Sequence, residues 1–204
     1  MSTVEDKKNI KRIRLLDAAY ELFIKKSVNS TAIDDVVKAA GVAKGTFYLY
    51  FRDKYDLLDQ IVAKKSADVI CDAYDELCEK NDIHNMSLLD IMAELVALLI
   101  SKMEEKKEVL TLIDKNLSTS LRAFATLHDQ RFNEVKLKLL NEFTSNGFTT
   151  EQANMTIYLI VDLVGSVCLD ALIYTRPYDI EKVKPALLCA TRSIIVGVQK
   201  TEVK

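Results

Sequence analysis

The sequence predicts an all-α protein with an N-terminal three-helix domain and a larger C-terminal helical domain. The 204 residues include only five glycines and two prolines, and 49% of them are hydrophobic. Because glycine and proline are the residues least tolerated inside helices, their scarcity favours long helices. Apolar residues recur at spacings of three and four, and the stretch Thr31 to Leu58 has the pattern of two short helices joined by a tight turn and followed by a longer helix.

The first helix is predicted from about Asn9 to Lys26, after a polar and loose N-terminus. Its apolar stripe would cover the two short helices that follow, since that pair cannot bury its own core. The stripe consists of Ile13, Leu16, Tyr20 and Phe23. Lys25 and Lys26 place favourable charge at the negative end of the helix dipole. A basic cluster near the start either follows phosphates as an arm or is an ordinary solvated helix start. This cluster contains Lys7, Lys8, Lys11, Arg12 and Arg14.

The second helix and the turn after it have clear local signals. Thr31 with Asp34 three residues later predicts a start resembling a capping box, with the threonine hydroxyl accepting from a free backbone N–H. Gly41 follows where the chain must reverse, because a residue without Cβ adopts positive φ at little steric cost. Val42 then supplies an apolar plug in the turn.

The third helix is predicted to be anchored by two aromatic rings. Phe47 and Phe51 point inward at a spacing of four, which leaves an outer face made of Lys44, Gly45, Tyr48 and Leu49, flanked by Thr46 and Tyr50. Lysine donates to phosphate or guanine, and hydroxyl groups donate to phosphate. Glycine also lets backbone approach backbone. This outer face therefore suits double-stranded DNA.

From about Ile10 to about Lys65 the sequence resembles the tetracycline-repressor (TetR) family of transcriptional regulators. The resemblance is strongest in AAGVAKGTFYLYFRDKYDLL. The matching positions there are Ala40, Gly41, Val42, Lys44, Gly45, Thr46, Tyr48, Tyr50, Phe51, Lys54 and Leu57–Leu58. The resemblance implies a dimeric repressor that binds a palindromic operator and is released by a small-molecule effector. An activator, or a helical sensor or adaptor that binds a protein or lipid without reading DNA, is the alternative.

The resemblance also assigns DNA-contacting positions. The phosphate-contact candidates are Thr31, Thr46, Tyr48, Tyr50 and Lys54, and the positions facing base edges are Lys44, Gly45 and Leu49. Two residues depart from the family pattern. Ser27 stands where glycine is usual, and Ala43 stands where a capping serine is usual. The second change should weaken the start of the third helix by about 1 kcal/mol.

The remaining chain predicts further helices. Asp53 is placed to cap a long one. The predicted ranges are about Lys54–Glu79, Ser87–Met103, Lys107–Leu117, Thr119–Ser145, Thr149–Tyr174 and Asp179–Val198. Gly147 would end the fourth of these, and Pro177 would separate the last two. We expect the helix from Ser87 inside the bundle, because its apolar residues lie nearly all round.

We expect residues 9–68 to form the DNA-binding domain and residues 69–204 the effector-binding and dimerisation domain. The last two helices carry more apolar surface than one core layer needs. As the resemblance implies, pairing them with a second copy would form a four-helix homodimer interface. Gly165, Ser166 and Gly197 are small enough for close helix contact there. Packing within one chain is the alternative.

Polar groups on the apolar C-terminal helices are the pointers to an effector site. The candidates are Asp114, Asn116, His128, Tyr158, Asp162, Cys168, Asp170 and Tyr174. Asp162 and Asp170 share a stripe with Ser166 and Tyr174, which is equally the pattern of a solvated helix side. Tyrosines in such helices are often packed rings, and a lone histidine is more often a surface group than a ligand. The composition favours an apolar or amphipathic effector.

Charge is distributed unevenly between the two regions. Residues 1–65 carry 13 Lys/Arg and 9 Asp/Glu, a net +4, whereas residues 66–204 carry 15 and 21, a net −6. A basic end joined to an acidic body fits a nucleic-acid reader with a separate domain, although chance scatter of solvated charges would give the same counts.

Other function classes find little support. The sequence has no H-E-x-x-H or G-x-S-x-G motif, and Lys44-Gly45-Thr46 lacks the rest of a phosphate loop, so no enzyme, cofactor or metal site is predicted. The four cysteines lack C-x-x-C spacing and should be reduced and mostly buried. The longest apolar run, Leu95 to Ile100, is too short to cross a bilayer. We therefore expect a cytoplasmic protein without a membrane partner.

Overall fold

The computed structural model describes residues 4–113 and 129–201. These residues form two compact units, one up to Lys65 and one from Ser66 onward. The helices are α1 Val4–Lys26, α2 Ile33–Ala40, α3 Lys44–Phe47, α4 Lys54–Lys80, α5 Leu88–Glu105, α6 Lys107–Ile113, α7 Gln130–Ser145, α8 Thr150–Leu169 and α9 Ile180–Gln199. A short 3-10 turn spans Ile83–Asn85, and a π-helical turn, Asp170–Tyr174, extends α8. The all-α prediction is confirmed.

Helix α1 differs from its prediction in its start and in part of its buried face. It begins at Val4 rather than near Asn9. The acidic residues that follow Val4 in sequence favour a helix start. The core-facing line runs through Leu15, Ala19 and Phe23, all buried, whereas Ile13 is exposed. Leu16 of the predicted stripe is also buried and Tyr20 is half-buried, so the stripe is wrong only at Ile13 and omits Leu15 and Ala19. The two predicted lysines do lie in its last turn.

The link from α1 to α2 contains a left-handed serine. Ser27 has φ +69°, and its N–H donates to the carbonyl of Phe23 at 3.0 Å, which ends α1. Only glycine adopts this conformation without steric cost. The glycine usual at this position is therefore explained by the backbone, and Ser27 holds the same turn under strain.

Thr31 is not the cap that the sequence predicted. The residue before α2 is Ala32, which has extended backbone and a side chain unable to accept a hydrogen bond. Thr31 is only 2% exposed, and its hydroxyl donates backward to the Ser27 carbonyl at 2.7 Å. The threonine is one residue too early to cap the helix, so its hydroxyl closes the preceding loop.

Helix α4 starts as predicted. The carboxylate of Asp53 accepts the N–H groups of Tyr55 at 2.8 Å and Asp56 at 2.9 Å. These two backbone N–H groups have no partner within the helix, so the carboxylate satisfies them and stabilises the helix start. The hydrogen bond from Asp56 is the largest cause of the lowered pKa of Asp53.

In the second unit α5 lies in the core, as its apolar composition predicted. Most of its apolar side chains are buried, including Ile91, Leu95 and Ile100, and the helix packs against α8 and α9. Ser87 caps it, and Gly147 after α7 has φ +85°, as expected of a glycine that ends a helix. Thr149 and Gln152 form a capping box at the start of α8.

The predicted continuous helix from Thr119 to Ser145 is wrong at its start. Asp129 has extended backbone, and its carboxylate accepts the N–H of Phe132 at 2.9 Å, so a helix begins at Gln130. Aspartate competes well for free N–H groups at a helix start, which explains the break. Residues 114–128 lie outside the described part of the chain.

Helix α8 with its π-helical turn, Thr150–Tyr174, is long and apolar enough to cross a membrane by length and composition. The uninterrupted run Leu95–Ile100 is too short for a span, as the sequence predicted, but it lies in α5 and does not bear on this helix. Such a helix is weak evidence for a membrane span, because apolar helices of globular proteins pass the same test. Met155, Tyr158 and Leu159 are exposed on it, so part of its apolar surface is left uncovered in a single chain.

The cysteines divide into two buried and two exposed residues. Cys71 and Cys168 are buried, whereas Cys78 and Cys189 are exposed, so the expectation of mostly buried thiols holds for only half of them. Burial raises the pKa of Cys71 to about 11 and that of Cys168 to about 12. All four are free thiols.

Candidate nucleic-acid interface

The segment after α2 turns sharply at a glycine. Gly41 has φ +65°, and its N–H donates to the carbonyl of Lys38 at 3.3 Å. The N–H of Val42 donates to the carbonyl of Val37 at 3.0 Å, which completes the paired hydrogen bonds of a left-handed helix end. The predicted turn is confirmed, and it sets the direction in which α3 leaves α2.

Two buried rings hold α3 in place. Phe47 is fully buried, Phe51 is 2% exposed, and their ring centroids lie 5.5 Å apart. The ring of Tyr48 meets Phe47 edge-on at 5.2 Å while remaining exposed. The aromatic anchor predicted from the spacing is therefore present, and it fixes the side of the segment that faces away from the core.

Helix α3 is shorter than predicted. Its regular part ends at Phe47, and the chain continues in tight turns in which the N–H of Tyr50 donates to the carbonyl of Phe47 at 3.0 Å. Ala43 precedes the helix with extended backbone, and its methyl group cannot cap it. A glycine at the second helical position and a missing cap both weaken a helix, which accounts for its short length.

The outer face predicted from the sequence is accessible. Leu49 is 78% exposed, and Lys44, Gly45 and Tyr48 are exposed beside it. Nothing lies within 4 Å of the position where a Cβ would stand on Gly45, so a ligand can approach this backbone. The flanking residues Thr46 and Tyr50 are half-buried. Which of these side chains touch DNA stays a prediction.

Lys44 is already paired with a carboxylate. Its ammonium Nζ lies 2.7 Å from Oδ1 of Asp34 on α2, and both side chains are more than half exposed. The hydrogen bond to Asp34 raises the pKa of Lys44. This lysine therefore remains cationic at neutral pH, and the pair joins the two helices on the outer face. From the sequence, Asp34 was predicted only to stabilise the start of α2.

Lys54 and Thr31, two of the predicted phosphate contacts, have internal partners instead. The ammonium of Lys54 donates to the carbonyls of Val28 at 2.9 Å, Asn29 at 3.0 Å and Thr31 at 3.2 Å. A lysine ammonium has three donors, and these acceptors use all of them. Both residues hold the loop before α2. The buried Thr31 side chain offers no surface to a phosphate, whereas a phosphate contact by Lys54 stays a prediction.

Arg52 is an exposed cation that was not among the DNA contacts predicted from the sequence. Its side chain is 86% exposed, and its Nε lies 3.6 Å from the carboxylate of Asp56. It follows the buried Phe51 directly, so it lies at the end of the segment that carries the outer face. Its adjacency to the aromatic anchor was the signal available in the sequence.

The effector candidates are not gathered into one described site. Asp114 and His128 lie outside the described residues. Tyr158 and Asp162 are exposed on α8, which agrees with the alternative that this stripe is a solvated helix side and not with an interior pocket. Tyr174 is also exposed.

Cys168, by contrast, is buried, and Asp170 is exposed. Neither residue therefore adds to a cluster of polar groups around one interior site. The sequence candidates were chosen for polarity within apolar helices, and polarity alone does not distinguish an outward side chain from one that lines a cavity.

Charged residues tie the second unit together around α4. Asp72 accepts from Lys106 at 2.7 Å and from Arg131 at 2.9 Å, and Asp75 accepts from Arg131 at 2.6 Å. Hydrogen bonds that the guanidinium donates to the two carboxylates, with the bond to Asp75 the larger cause, raise the pKa of Arg131. Through this network the segment after α5 and the start of α7 are held against the same side of α4.

Two short helices joined by a glycine turn, with an aromatic anchor inside and an exposed outer face that carries Lys44, are typical of a DNA-binding helix-turn-helix protein. The family model described as bacterial regulatory proteins of the tetR family matches residues 15–61. The chain is 28% identical over 159 residues to the uncharacterized HTH-type transcriptional regulator YvdT of Bacillus subtilis, covering 74% of this chain and 77% of that protein.

Solved structures give the same fold over most of the chain. FadR from Bacillus subtilis in complex with stearoyl-CoA matches with a TM-score of 0.53 at 19% identity, covering 89% of this chain and 97% of that one. A TetR variant from Acinetobacter baumannii in complex with minocycline matches with a TM-score of 0.59 at 13% identity, covering 91% and 94%. Residues 15–61 match the DNA-binding region of the TetR family, and the chain is a DNA-binding transcriptional regulator of this helix-turn-helix type.

Proposed function

We propose that this regulator is a homodimeric cytoplasmic repressor that binds a palindromic operator and is released by an apolar or amphipathic small molecule. Residues 9–68 form its DNA-binding domain, and residues 69–204 bind the effector and the second copy. It carries out no catalytic step. The outer face carries the proposal: an exposed lysine, an exposed leucine and an open glycine, held outward by the buried rings of Phe47 and Phe51.

The proposed division of labour on DNA follows from what each group can donate. Lys44 and Leu49 contact base edges, and the Gly45 backbone approaches the groove. Thr46, Tyr48 and Tyr50 donate hydroxyl groups to phosphates, which sets the register on the duplex without reading sequence. We add Arg52 to these contacts, because its guanidinium is exposed next to the anchor.

Substitution of Lys44 tests the reading role. Lys44→Ala should weaken binding to duplexes selected from a random pool by about 5- to 150-fold and relax the preference at one position of each half-site. Lys26→Ala is the matched control, since Lys26 is a half-exposed lysine of the same unit on α1. That variant should leave the selected sequence unchanged. Unaltered binding of Lys44→Ala to every duplex would mean that the outer face is wrongly assigned.

Pairing of two copies is proposed from the uncovered apolar surface of the C-terminal helices. Met155, Tyr158 and Leu159 are exposed on α8, and Val196 is exposed on α9. A second copy related by a two-fold axis would bury the same residues on both chains. This assigns Tyr158 to the dimer interface in place of the effector pocket that the sequence suggested.

The dimer is tested by a charge placed on that surface. Leu159→Glu should give monomers in sedimentation equilibrium, because two buried carboxylates would face each other across the axis. Leu137→Glu is the control, since Leu137 is exposed on α7 at a site outside the proposed interface. Dimers of the Leu159 variant as stable as the wild type would refute this placement.

The effector is proposed from composition and from what related folds bind. The FadR structure holds stearoyl-CoA and the TetR variant holds minocycline, two large molecules with apolar parts. We keep Asp114, His128 and Tyr174 as proposed polar contacts to such a ligand. Stearoyl-CoA, palmitate and minocycline should be screened by melting temperature and then by displacement from DNA. A ligand that raises the melting temperature without displacing DNA would argue against release as its role.

A further inference from the structure

An acidic side chain stands on the surface that must approach a polyanion. Asp34 lies in the first turn of α2, its side chain is 68% exposed, and Oδ1 lies 2.7 Å from Nζ of Lys44. Exposed ion pairs add little to stability. The small gain in stability from this ion pair therefore does little to explain why a carboxylate lies on the outer face.

The carboxylate opposes binding to DNA of random sequence. Non-specific affinity comes from lysine and arginine neutralising phosphates. Asp34 already neutralises the charge of Lys44, so a contact between Lys44 and a phosphate gains less affinity, and the exposed carboxylate repels the same phosphate. Asp34 therefore lowers the affinity of this surface for any duplex that offers it only backbone contacts.

One base pair offers the pair a complementary edge. In the major groove a G·C pair presents two adjacent acceptors, guanine N7 and O6, beside one donor, cytosine N4. Lysine has three N–H donors and the carboxylate has two acceptor oxygens, so both can contact the edge while still contacting each other. An A·T pair places its donor between two acceptors and adds a methyl group, which fits this arrangement less well.

We propose that Asp34 is a specificity-determining residue that, together with Lys44, reads one G·C pair in each operator half-site and reduces binding elsewhere. Lys44 donates to guanine, and Asp34 accepts from the cytosine amino group. The inference rests on the proposed function. It adds which base pair is recognised, and it adds an acidic residue on α2 that contacts a base, although base contacts were expected from α3 alone.

The test is selection of bound duplexes from a random pool by the full-length wild type and three variants. Wild type should select G·C at one position of each half-site. Asp34→Ala should lose about 5-fold or more of that preference and bind a scrambled duplex more tightly. Asp34→Asn, whose amide both donates and accepts, should shift the preference toward A·T. Asn pairs bidentately with adenine, which gives the reason for this shift.

Asp35→Ala is the matched control. Asp35 is the neighbouring acid in the same first turn, and it faces Lys26 at 3.8 Å instead of the outer face. Its removal changes the net charge equally, so both alanine variants gain some non-specific affinity, but only the Asp34 variant should change the selected base. Melting temperatures show whether each variant is folded. If Asp34→Ala does not fold, the neutral variant Asp34→Asn takes its place in the test.

The outcomes separate this inference from the function on which it rests. Selection of the same sequences with the same strength by wild type and both Asp34 variants would overturn the reading role of Asp34 and leave the repressor proposal intact. A lower melting temperature of the Asp34 variants with an unchanged base preference would also overturn the reading role, because Asp34 would then have a purely structural role. Retention of no duplex by the wild type at low ionic strength would overturn both proposals.

Discussion

Replacing Lys54 with methionine tests whether this residue positions a loop or contacts DNA. The substitution keeps an apolar stem of similar length and removes the ammonium group. In the structure that ammonium donates to three carbonyls of the loop before α2, at 2.9, 3.0 and 3.2 Å. Without it, the carbonyls of Val28, Asn29 and Thr31 lose a charged partner.

The expected loss of stability follows from those contacts. A hydrogen bond to a charged group contributes about 1.5–3 kcal/mol when its partner has no alternative. The three hydrogen bonds share one ammonium, and the contact to the Asn29 carbonyl is exposed. Water can therefore bond to that carbonyl in the variant and offset part of the lost stability. We therefore expect Lys54→Met to lower the free energy of unfolding by about 2 kcal/mol in total, nearer to one such bond than to three.

Urea unfolding and the salt dependence of DNA binding measure the two possible roles separately. Lys54→Met should unfold at lower urea, while the slope of log affinity against log salt stays within error of the wild type. Arg52→Gln is the opposite control, because that side chain is 86% exposed. It should change stability by less than about 0.5 kcal/mol and reduce the salt slope by about 0.9 for each copy, or about 1.8 for the proposed dimer.

The reverse pattern for Lys54 would refute this reasoning. Unchanged unfolding with a salt slope reduced by about one for each copy, or about two for the proposed dimer, would make Lys54 a phosphate contact, as the family resemblance suggested. The three carbonyl distances would then describe only the protein without DNA.

Four further predictions concern stability and thiol chemistry. Ser27→Gly relieves the left-handed serine, and Ala43→Ser supplies the missing cap; each should raise the free energy of unfolding by about 1 kcal/mol, measured by urea denaturation. Asp53→Ala should lower stability by about 1 kcal/mol near neutral pH. The folded-state pKa of Asp53 is depressed, so its contribution is present above the ordinary aspartate pKa and lost as the pH falls through the folded value; the wild type and this variant should converge in acid melts. The high pKa values of the buried thiols, about 11 for Cys71 and about 12 for Cys168, predict that a thiol reagent at mildly alkaline pH labels two cysteines in the native protein and four after denaturation.

Local patterns in the sequence were sufficient to predict the framework that holds the helix-turn-helix segment. The spacing of Phe47 and Phe51 predicted the anchor, Gly41 predicted the turn, and Asp53 predicted the start of α4. Each of these signals depends on the residue itself and on neighbours within one helical turn. Such signals can be read before the fold is known, because backbone geometry alone decides which residue types fit there.

The roles of Thr31, Lys54 and Asp34 were out of reach because their partners are determined by tertiary structure. Thr31 has the composition of a cap, but its hydroxyl closes a loop one residue earlier. Lys54 lies more than 20 residues along the chain from the carbonyls that it binds, and Asp34 meets Lys44 only once the turn brings α2 and α3 together. No spacing rule within a single helix predicts such contacts.

The uncovered face of α8 was ambiguous for a different reason. Tyr158 and Asp162 are polar groups on an apolar helix, and both a ligand pocket and an interface between copies use such groups. Only the exposure of each side chain in the folded chain separates the two roles. In the structure both side chains are exposed, which argues against an interior pocket and is compatible with the proposed interface.

Hydroxyl-radical footprinting on a duplex selected by the wild type tests the central claim most directly. A dimer that presents two outer faces should protect two patches on one side of the duplex, centred about 34 Å or one helical turn apart. Lys44→Ala should weaken both patches together. A single patch, uniform protection along the duplex, or no protection at low ionic strength would contradict the account.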